Sequence, residues 1–469
     1  MRLVMKFGGT SVGNAERVAQ MAEIVRTQAA AGDQVVVVLS AMSGVTNALL
    51  QSANMAANGS VEWLQDTRDK LQERHAQVIN ALVKSEETRQ ALIASTTRAL
   101  DGFENLCRSI HVLGELTARA SDAVGSLGER LMVPIAAQVL CDMGVNSRAV
   151  DATQLIATDD CFGSADPTMD LTGEQTRARL EPLLEAGLVP VTTGFIGATR
   201  DGIVTTLGRG GSDYTATILG RALDAEQVWI WTDVNGVMTT DPRIVPEAHT
   251  LDEISYGEAA ELAYFGAKVI HPKTILPVAE KNIPIRILNS FNPTHPGTLI
   301  VRDPKPTNSP VKAITAIRNL SLVTIEGRGM IGVPGMAARV FDTVARERAN
   351  VLMISQSSSE QNICFLVESA AAERTIAALQ REFELERIRQ NIEKIWAQDH
   401  TVIVAIVGAG MQAVPGIAAR VFVATATEGI NILAIAQGSS KYNLSLVVDE
   451  KDADNAVRAI HAIFKMELK

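Results

Sequence analysis

Apolar residues in the first forty positions form two short runs separated by one helical stripe. Leu3–Phe7 is a run of strand length, and Asn14–Ala30 carries Val18, Met21 and Val25 at helical spacing. Asn14 is a predicted N-cap and Gly32 a predicted stop. Gln34–Leu39 holds Val-Val-Val-Val-Leu, the pattern of a strand buried on both faces. Strand, helix and strand in this order predict a βαβ unit with a right-handed crossover. From Thr46 to Gly144 the pattern is mostly helical, with a stripe at Leu64, Leu71, Val78 and Leu82. Strand signals return at Asn146–Val150, Leu188–Thr193, Ile203–Leu207, Glu226–Thr232 and Ile283–Leu288. The alternation predicts an α/β domain over residues 1–302, an open, mostly parallel sheet sandwiched by helices. The Pro-rich stretch 303–310 reads as a linker.

Beyond it the chain repeats itself. Val333-Pro334-Gly335-Met336-Ala337-Ala338-Arg339-Val340-Phe341 returns 81 residues later as Val414-Pro415-Gly416-Ile417-Ala418-Ala419-Arg420-Val421-Phe422. The same offset maps Gly327 to Gly408, Asn350 to Asn431, Gln356 to Gln437 and Asn362 to Asn443. Each copy reads as a small βαββ module. The last copy ends short of an edge strand, which Val311–Ile317 is placed to supply. The predicted division is therefore 318–395 for one module and 311–317 plus 396–469 for the other, the first inserted into the second. Gly327-Arg328-Gly329-Met330-Ile331-Gly332 matches a dinucleotide fingerprint. The next strand ends without the acidic residue that would hold a ribose, and the module is too small, so a turn is the better account.

An apolar fraction of 46% and a net charge of −10 fit a globular protein and argue against nucleic acid or an anionic membrane as the main partner. Four separated cysteines, with no C-x-x-C pair, suggest neither a zinc site nor a disulfide framework. No signal peptide or apolar run of membrane-spanning length stands out, so a cytoplasmic protein is expected.

Three segments carry candidate chemistry. Lys6-Phe7-Gly8-Gly9-Thr10-Ser11 leaves the first strand and enters the first helix, where Gly-Gly lets backbone N–H groups approach an anion. An ordinary strand-to-helix turn is the alternative. In Leu207-Gly208-Arg209-Gly210-Gly211-Ser212-Asp213, Ser212 or Asp213 can serve as a helix N-cap. Arg209 among three glycines instead suits bidentate capture of a carboxylate or phosphate. Thr232-Asp233 closes a strand and Asp241-Pro242-Arg243 follows, either at a ligand-facing strand end or as a simple turn. No Walker A sequence occurs, and none of the seven His lies in these motifs.

Taken in order, with Phe265-Gly266-Ala267-Lys268-Val269, these motifs resemble the amino-acid kinase family, and within it the aspartate kinases. The resemblance covers essentially the whole chain, and the paired modules look like ACT domains, the amino-acid-binding regulators of that family. It implies transfer of the γ-phosphoryl group of ATP to the side-chain carboxylate of aspartate, at the start of lysine, threonine and methionine synthesis. By the same resemblance, Lys6 stabilises charge on the transferring group, Gly8, Gly9 and Ser11 cradle phosphates, and Asp213 organises the cationic groups or the metal. Thr46, Glu129, Arg209, Gly210, Gly211 and Ser212 hold aspartate. Thr232, Asp233, Met238, Arg243, Lys268 and Val269 serve the nucleotide, Met238 standing where relatives often place an aromatic. Mg²⁺ arrives on the ATP phosphates rather than in a side-chain cage.

In the modules, Gln356 and Gln437 end equivalent strands, and Asn350 and Asn431 precede them. Each Gln either caps its strand or bonds a small polar ligand in a partly buried site. The resemblance, nearer to threonine-sensitive relatives, favours threonine as effector and a homodimer or higher homo-oligomer through the modules. Rival readings are a kinase of glutamate, acetylglutamate or a nucleoside monophosphate, a non-catalytic amino-acid sensor, and a dehydrogenase.

Overall fold

The computed structural model describes the chain except for residues 267–269, 306–308, 358–360, 412–413, 438–441, 465 and 467–469. It divides into two compact units. One comprises Met1–Val237, Thr250–Ala260 and Lys268–Lys305, and the other Met238–His249, Glu261–Ala267 and Pro306–Lys469.

Among the described residues the first unit has ten strands: β1 (Arg2–Phe7), β2 (Gln34–Leu39), β3 (Ser147–Val150), β4 (Val189–Thr193), β5 (Ile196–Ala198), β6 (Val204–Thr206), β7 (Gln227–Thr232), β8 (Glu253–Ser255), β9 (Ile285–Asn289) and β10 (Thr298–Val301). Eight form one sheet in the order β3-β4-β2-β1-β7-β9-β10-β8, parallel throughout except between β9 and β10. β1 lies at its centre and pairs with β2 in parallel register, Leu3 against Val35 and Phe7 against Leu39. Their Leu, Met, Val and Phe side chains are fully buried, each stabilising the fold by roughly 1.5–3 kcal/mol. Asn14 caps the helix Ala15–Ala30 by accepting a hydrogen bond from the Arg17 N–H at 3.0 Å, as its position predicts.

Two departures concern short strands. The signal at Ile203–Leu207 does not join the main sheet: β6 pairs antiparallel with β5 in a separate two-stranded ribbon. β8 and β10 are three and four residues long, too short to leave a periodicity in the sequence. The helical insert Leu64–Leu82 and Glu86–Leu113 buries Leu64, Leu71, Val78, Leu100 and Phe103. One helical stretch, Ala118–Asp142, is long and apolar enough to cross a membrane, against expectation, but 72% of its apolar window is buried inside the structure. That is the pattern of a core helix.

The second unit holds a six-stranded sheet of β11 (Ala313–Glu326), β12 (Met353–Gln356), β13 (Asn362–Glu368), β14 (Lys394–Val407), β15 (Ile432–Ala436) and β16 (Asn443–Asp449). Their order is β12-β13-β11-β14-β16-β15, antiparallel throughout. The run expected to stop at Ile317 continues as one fourteen-residue strand, irregular between Ile317 and Leu320, where Asn319 takes φ +60°. Ala313–Ile317 pairs with Ile403–Val407, whereas Leu322–Glu326 pairs with Lys394–Gln398. Correspondingly, Ile314 is buried with Val404, Val421 and Val457, and Val323 with Val340, Phe365 and Ile395. The fingerprint glycines do serve close packing. A Cβ on Gly327 would lie 2.2 Å from the Asn391 carbonyl oxygen, and one on Gly408 2.1 Å from that of Pro310.

The unit boundary differs from a clean break at residue 303. Val245 is buried in the cluster of Val404 and Ile406, and the Ile314 N–H donates to the Thr239 carbonyl at 2.8 Å. Phe265 packs with Leu322 and Ile403. Apolar burial therefore gives 238–249 and 261–267 to the second unit.

Candidate active site

Lys6, Gly9, Thr46, Glu129 and the run Arg209–Asp213 converge on one cavity of about 560 Å³ in the first unit. It opens where β1, β2 and β6 end, the crevice outside the carboxyl ends of strands where open α/β sheets bind ligands. Two helix N-termini meet there. Val45–Ala57 begins after Gly44, and Gly211–Ala222 after Gly210, whose φ is +73°. Such ends present unpaired N–H groups and favour anions. The Gly210 cap overturns the N-cap reading of Ser212 and Asp213. Both lie inside the first turn, and no side chain caps that helix. The chain is also crowded here, since a Cβ on Gly210 would lie 2.7 Å from the His271 Cβ, and one on Gly9 2.9 Å from the Ala41 carbonyl oxygen.

The charges are few and distinct in state. Lys6 and Asp213 form a largely buried ion pair. Arg209 is exposed at the rim, and among the described residues it has no ion-pair partner. Glu129 is 3% exposed, and its Oε2 finds no hydrogen-bond partner. Burial pushes its carboxyl up to about 8, opposed by backbone N–H bonds from Ala41 and its own residue and by the charge of Lys6. Beside Glu129, Asp122 is a second buried carboxylate that the motifs do not contain. No local pattern marks it, because it lies on the helix Ala118–Gly125 and Glu129 on the next one, Leu127–Asp142. Among the described residues, no three His, Cys, Asp or Glu converge to hold a metal ion.

Other predicted positions lie outside that lining. The Gly8 N–H donates to the Trp231 carbonyl at 3.1 Å, and Gly8 packs against Lys6 Nζ. Ser11 is buried with its hydroxyl 2.8 Å from that of Ser290, which donates to the Thr232 carbonyl at 3.1 Å. This hydroxyl ties strand ends together. Thr232 donates to Asp233 at 3.3 Å. Met238 and Arg243 belong to the second unit, where Arg243 pairs with Asp241 at 2.6 Å and is 88% exposed. Lys268 and Val269 lie outside the described residues. Asn350, Gln356, Asn431 and Gln437 are all exposed, so the partly buried setting expected for the glutamines is not found within one chain.

The amino acid kinase family matches residues 1–289, and the ACT domain matches 323–383 and 404–464. The bifunctional aspartokinase/homoserine dehydrogenase 1 of Arabidopsis thaliana is 37% identical over 98% of this chain and 51% of its own length. Aspartokinase 3 of the same plant is 36% identical over 98% of this chain and 81% of its own. The solved structure of E. coli aspartokinase III with aspartate and ADP is 31% identical, with a TM-score of 0.81 over 99% of both chains. Its complex with lysine and aspartate is 32% identical, with a TM-score of 0.79 over 98% of both. The chain spans about half the length of the bifunctional curated relatives it matches.

Proposed function

The chain belongs to the aspartokinases of the amino acid kinase family, and from that premise we propose that it transfers the γ-phosphoryl group of ATP to the side-chain carboxylate of L-aspartate. The observation that carries this reading is the charge order of the cavity. Lys6 at a strand end pairs with Asp213 in the first turn of a helix, an exposed Arg209 stands in the lining, and a buried acid, Glu129, in the wall. An α-amino dicarboxylate offers the matching groups. Arg209 takes one carboxylate in its planar fork. Glu129, which burial holds protonated near pH 7, ionises when the substrate ammonium arrives beside its orphaned oxygen. Thr46 and Ser212 fix the remaining polar contacts.

Joining a phosphoryl group to a carboxylate brings two anions together, so charge neutralisation and alignment carry the catalysis. Lys6 does this from the end of β1, beside the side-chain-free Gly8 and Gly9, and Asp213 keeps the ammonium oriented. The acceptor carboxylate is already ionised, so no general base is required, and among the described residues no His lines the cavity. The glycine cradle and the single carboxylate of Asp213 fit Mg²⁺ carried on the nucleotide phosphates, an ion that keeps waters and few protein ligands and supplies neutralising charge. Thr232 and Asp233, with Met238, Arg243, Lys268 and Val269, are proposed to serve the nucleotide.

Regulation is proposed through an amino acid bound at the ACT modules, threonine in preference to lysine. The duplication supports it, giving equivalent strand ends to Gln356 and Gln437 with Asn350 and Asn431 before them. Their exposure in a single chain suits a site completed by a second copy, which supports a homo-oligomer. ADP release measured with aspartate, glutamate and acetylglutamate tests the acceptor. Activity with aspartate at least tenfold above the others is expected, and preference for another acceptor would overturn the reading.

A further inference from the structure

Asp122 lines the same cavity but belongs to none of the motifs above. It sits on the helix Ala118–Gly125, is 2% exposed, and among the described residues has no ion-pair partner. Its carboxylate is satisfied by neutral donors. Oδ2 accepts from the Gly163 N–H and the Thr206 N–H, both at 2.9 Å, and Oδ1 from the Thr206 hydroxyl at 2.7 Å. A carboxylate has about four acceptor sites, so three of them are engaged with the chain rather than offered to a ligand.

Those donors stand on either side of one residue. Thr206 ends β6, three positions before Arg209. Gly163 lies in the loop that packs against Gly208, the residue next to Arg209. A Cβ on Gly208 would lie 3.1 Å from Ser164 Oγ and 3.3 Å from the Gly163 carbonyl oxygen. The Ala165 N–H closes the arrangement by donating to the Thr206 carbonyl at 2.9 Å. Among the described residues Arg209 has no ion-pair partner to orient it, so its backbone must.

We infer that Asp122 is a positioning residue, clamping the Gly163 loop to the end of β6 and so fixing Arg209 for the acceptor's carboxylate. This rests on reading the cavity as the aspartate site. Charge plays no part: the role is to accept three hydrogen bonds at fixed places.

Asp122→Ala, Asp122→Asn and Thr206→Val in the full chain test it. Asp122→Ala is expected to raise KM for aspartate about tenfold or more while KM for ATP stays within about twofold. Asn still accepts both N–H groups, and the Thr206 hydroxyl can turn to accept from its amide. Asp122→Asn therefore stays within about threefold of wild type, and Thr206→Val falls between. Amide exchange at Gly163 and Thr206 should quicken in Asp122→Ala and not in Asp122→Asn. If Asp122→Ala does not fold, Thr206→Val carries the same comparison. An Asn variant as impaired as the Ala variant, equal rises in both KM values, or an unchanged aspartate KM would overturn the proposal. Were the wild type to release no ADP with aspartate, the acceptor reading would fail, while amide exchange would still decide the clamp.

Discussion

Replacing Glu129 by Gln should change how stability depends on pH. Glu129 is 3% exposed and burial lifts its carboxyl from 4.5 to about 8. A raised carboxyl contributes stability that is fully present below about pH 4.5 and is lost as pH rises through about 8, because the unfolded chain ionises first. Between those limits one group costs about 1.4 kcal/mol for each pH unit. From pH 6.0 to 7.5 the wild type should therefore lose about 2 kcal/mol relative to Glu129→Gln, which cannot titrate. Every other titrating group is common to both proteins and cancels. Urea unfolding of both at the two pH values, without amino acid or nucleotide, measures the difference. A wild-type-minus-variant difference constant within about 0.4 kcal/mol would refute a buried, protonated Glu129.

Lys6→Ala and Asp213→Ala should each lower kcat about a hundredfold to a thousandfold with the far-UV spectrum unchanged, and near-normal turnover in a folded Lys6→Ala protein would remove the site assignment. Gly210→Ala must place a Cβ 2.7 Å from His271 at φ +73°, so it should cost about 1–3 kcal/mol in urea unfolding and also raise KM for aspartate. Threonine should inhibit the wild type, and the double variant Gln356→Ala, Gln437→Ala should lose most of that response. Inhibition by lysine alone, or a double variant that responds like wild type, would contradict the effector assignment.

What could be read from the sequence followed from periodicity and local chemistry. Leu3–Phe7 and Gln34–Leu39 are continuous apolar runs, and such runs can only be buried between layers. The glycine-flanked Arg209 and the strand-end Lys6 stand out because a cation among glycines suits capture of an anion, a use that a turn alone does not require of the charge. The 81-residue repeat exposed the duplicated modules before any packing was known. β8 and β10 stayed hidden because so few residues cannot establish a period. The second unit's claim on Val245 and Phe265 rests on tertiary burial, which leaves no local mark. Asp122 was missed for a related reason. Within Ala118–Gly125 it looks like a surface acid, and only the fold gives it Thr206, 84 residues away.

The two fourteen-residue strands β11 and β14 each serve both halves of the six-stranded sheet. A strand that belongs to two cores cannot fray in one without loosening the other, so the halves share a single melting event. Partners such as Leu320 and Thr401 must find each other across a long stretch of chain before either half is complete, which makes their pairing a slow and decisive step in folding. The same sharing removes a freedom that duplication usually brings. Trimming or losing one copy takes a strand from the other, because each lends one long strand to the other's half of the sheet.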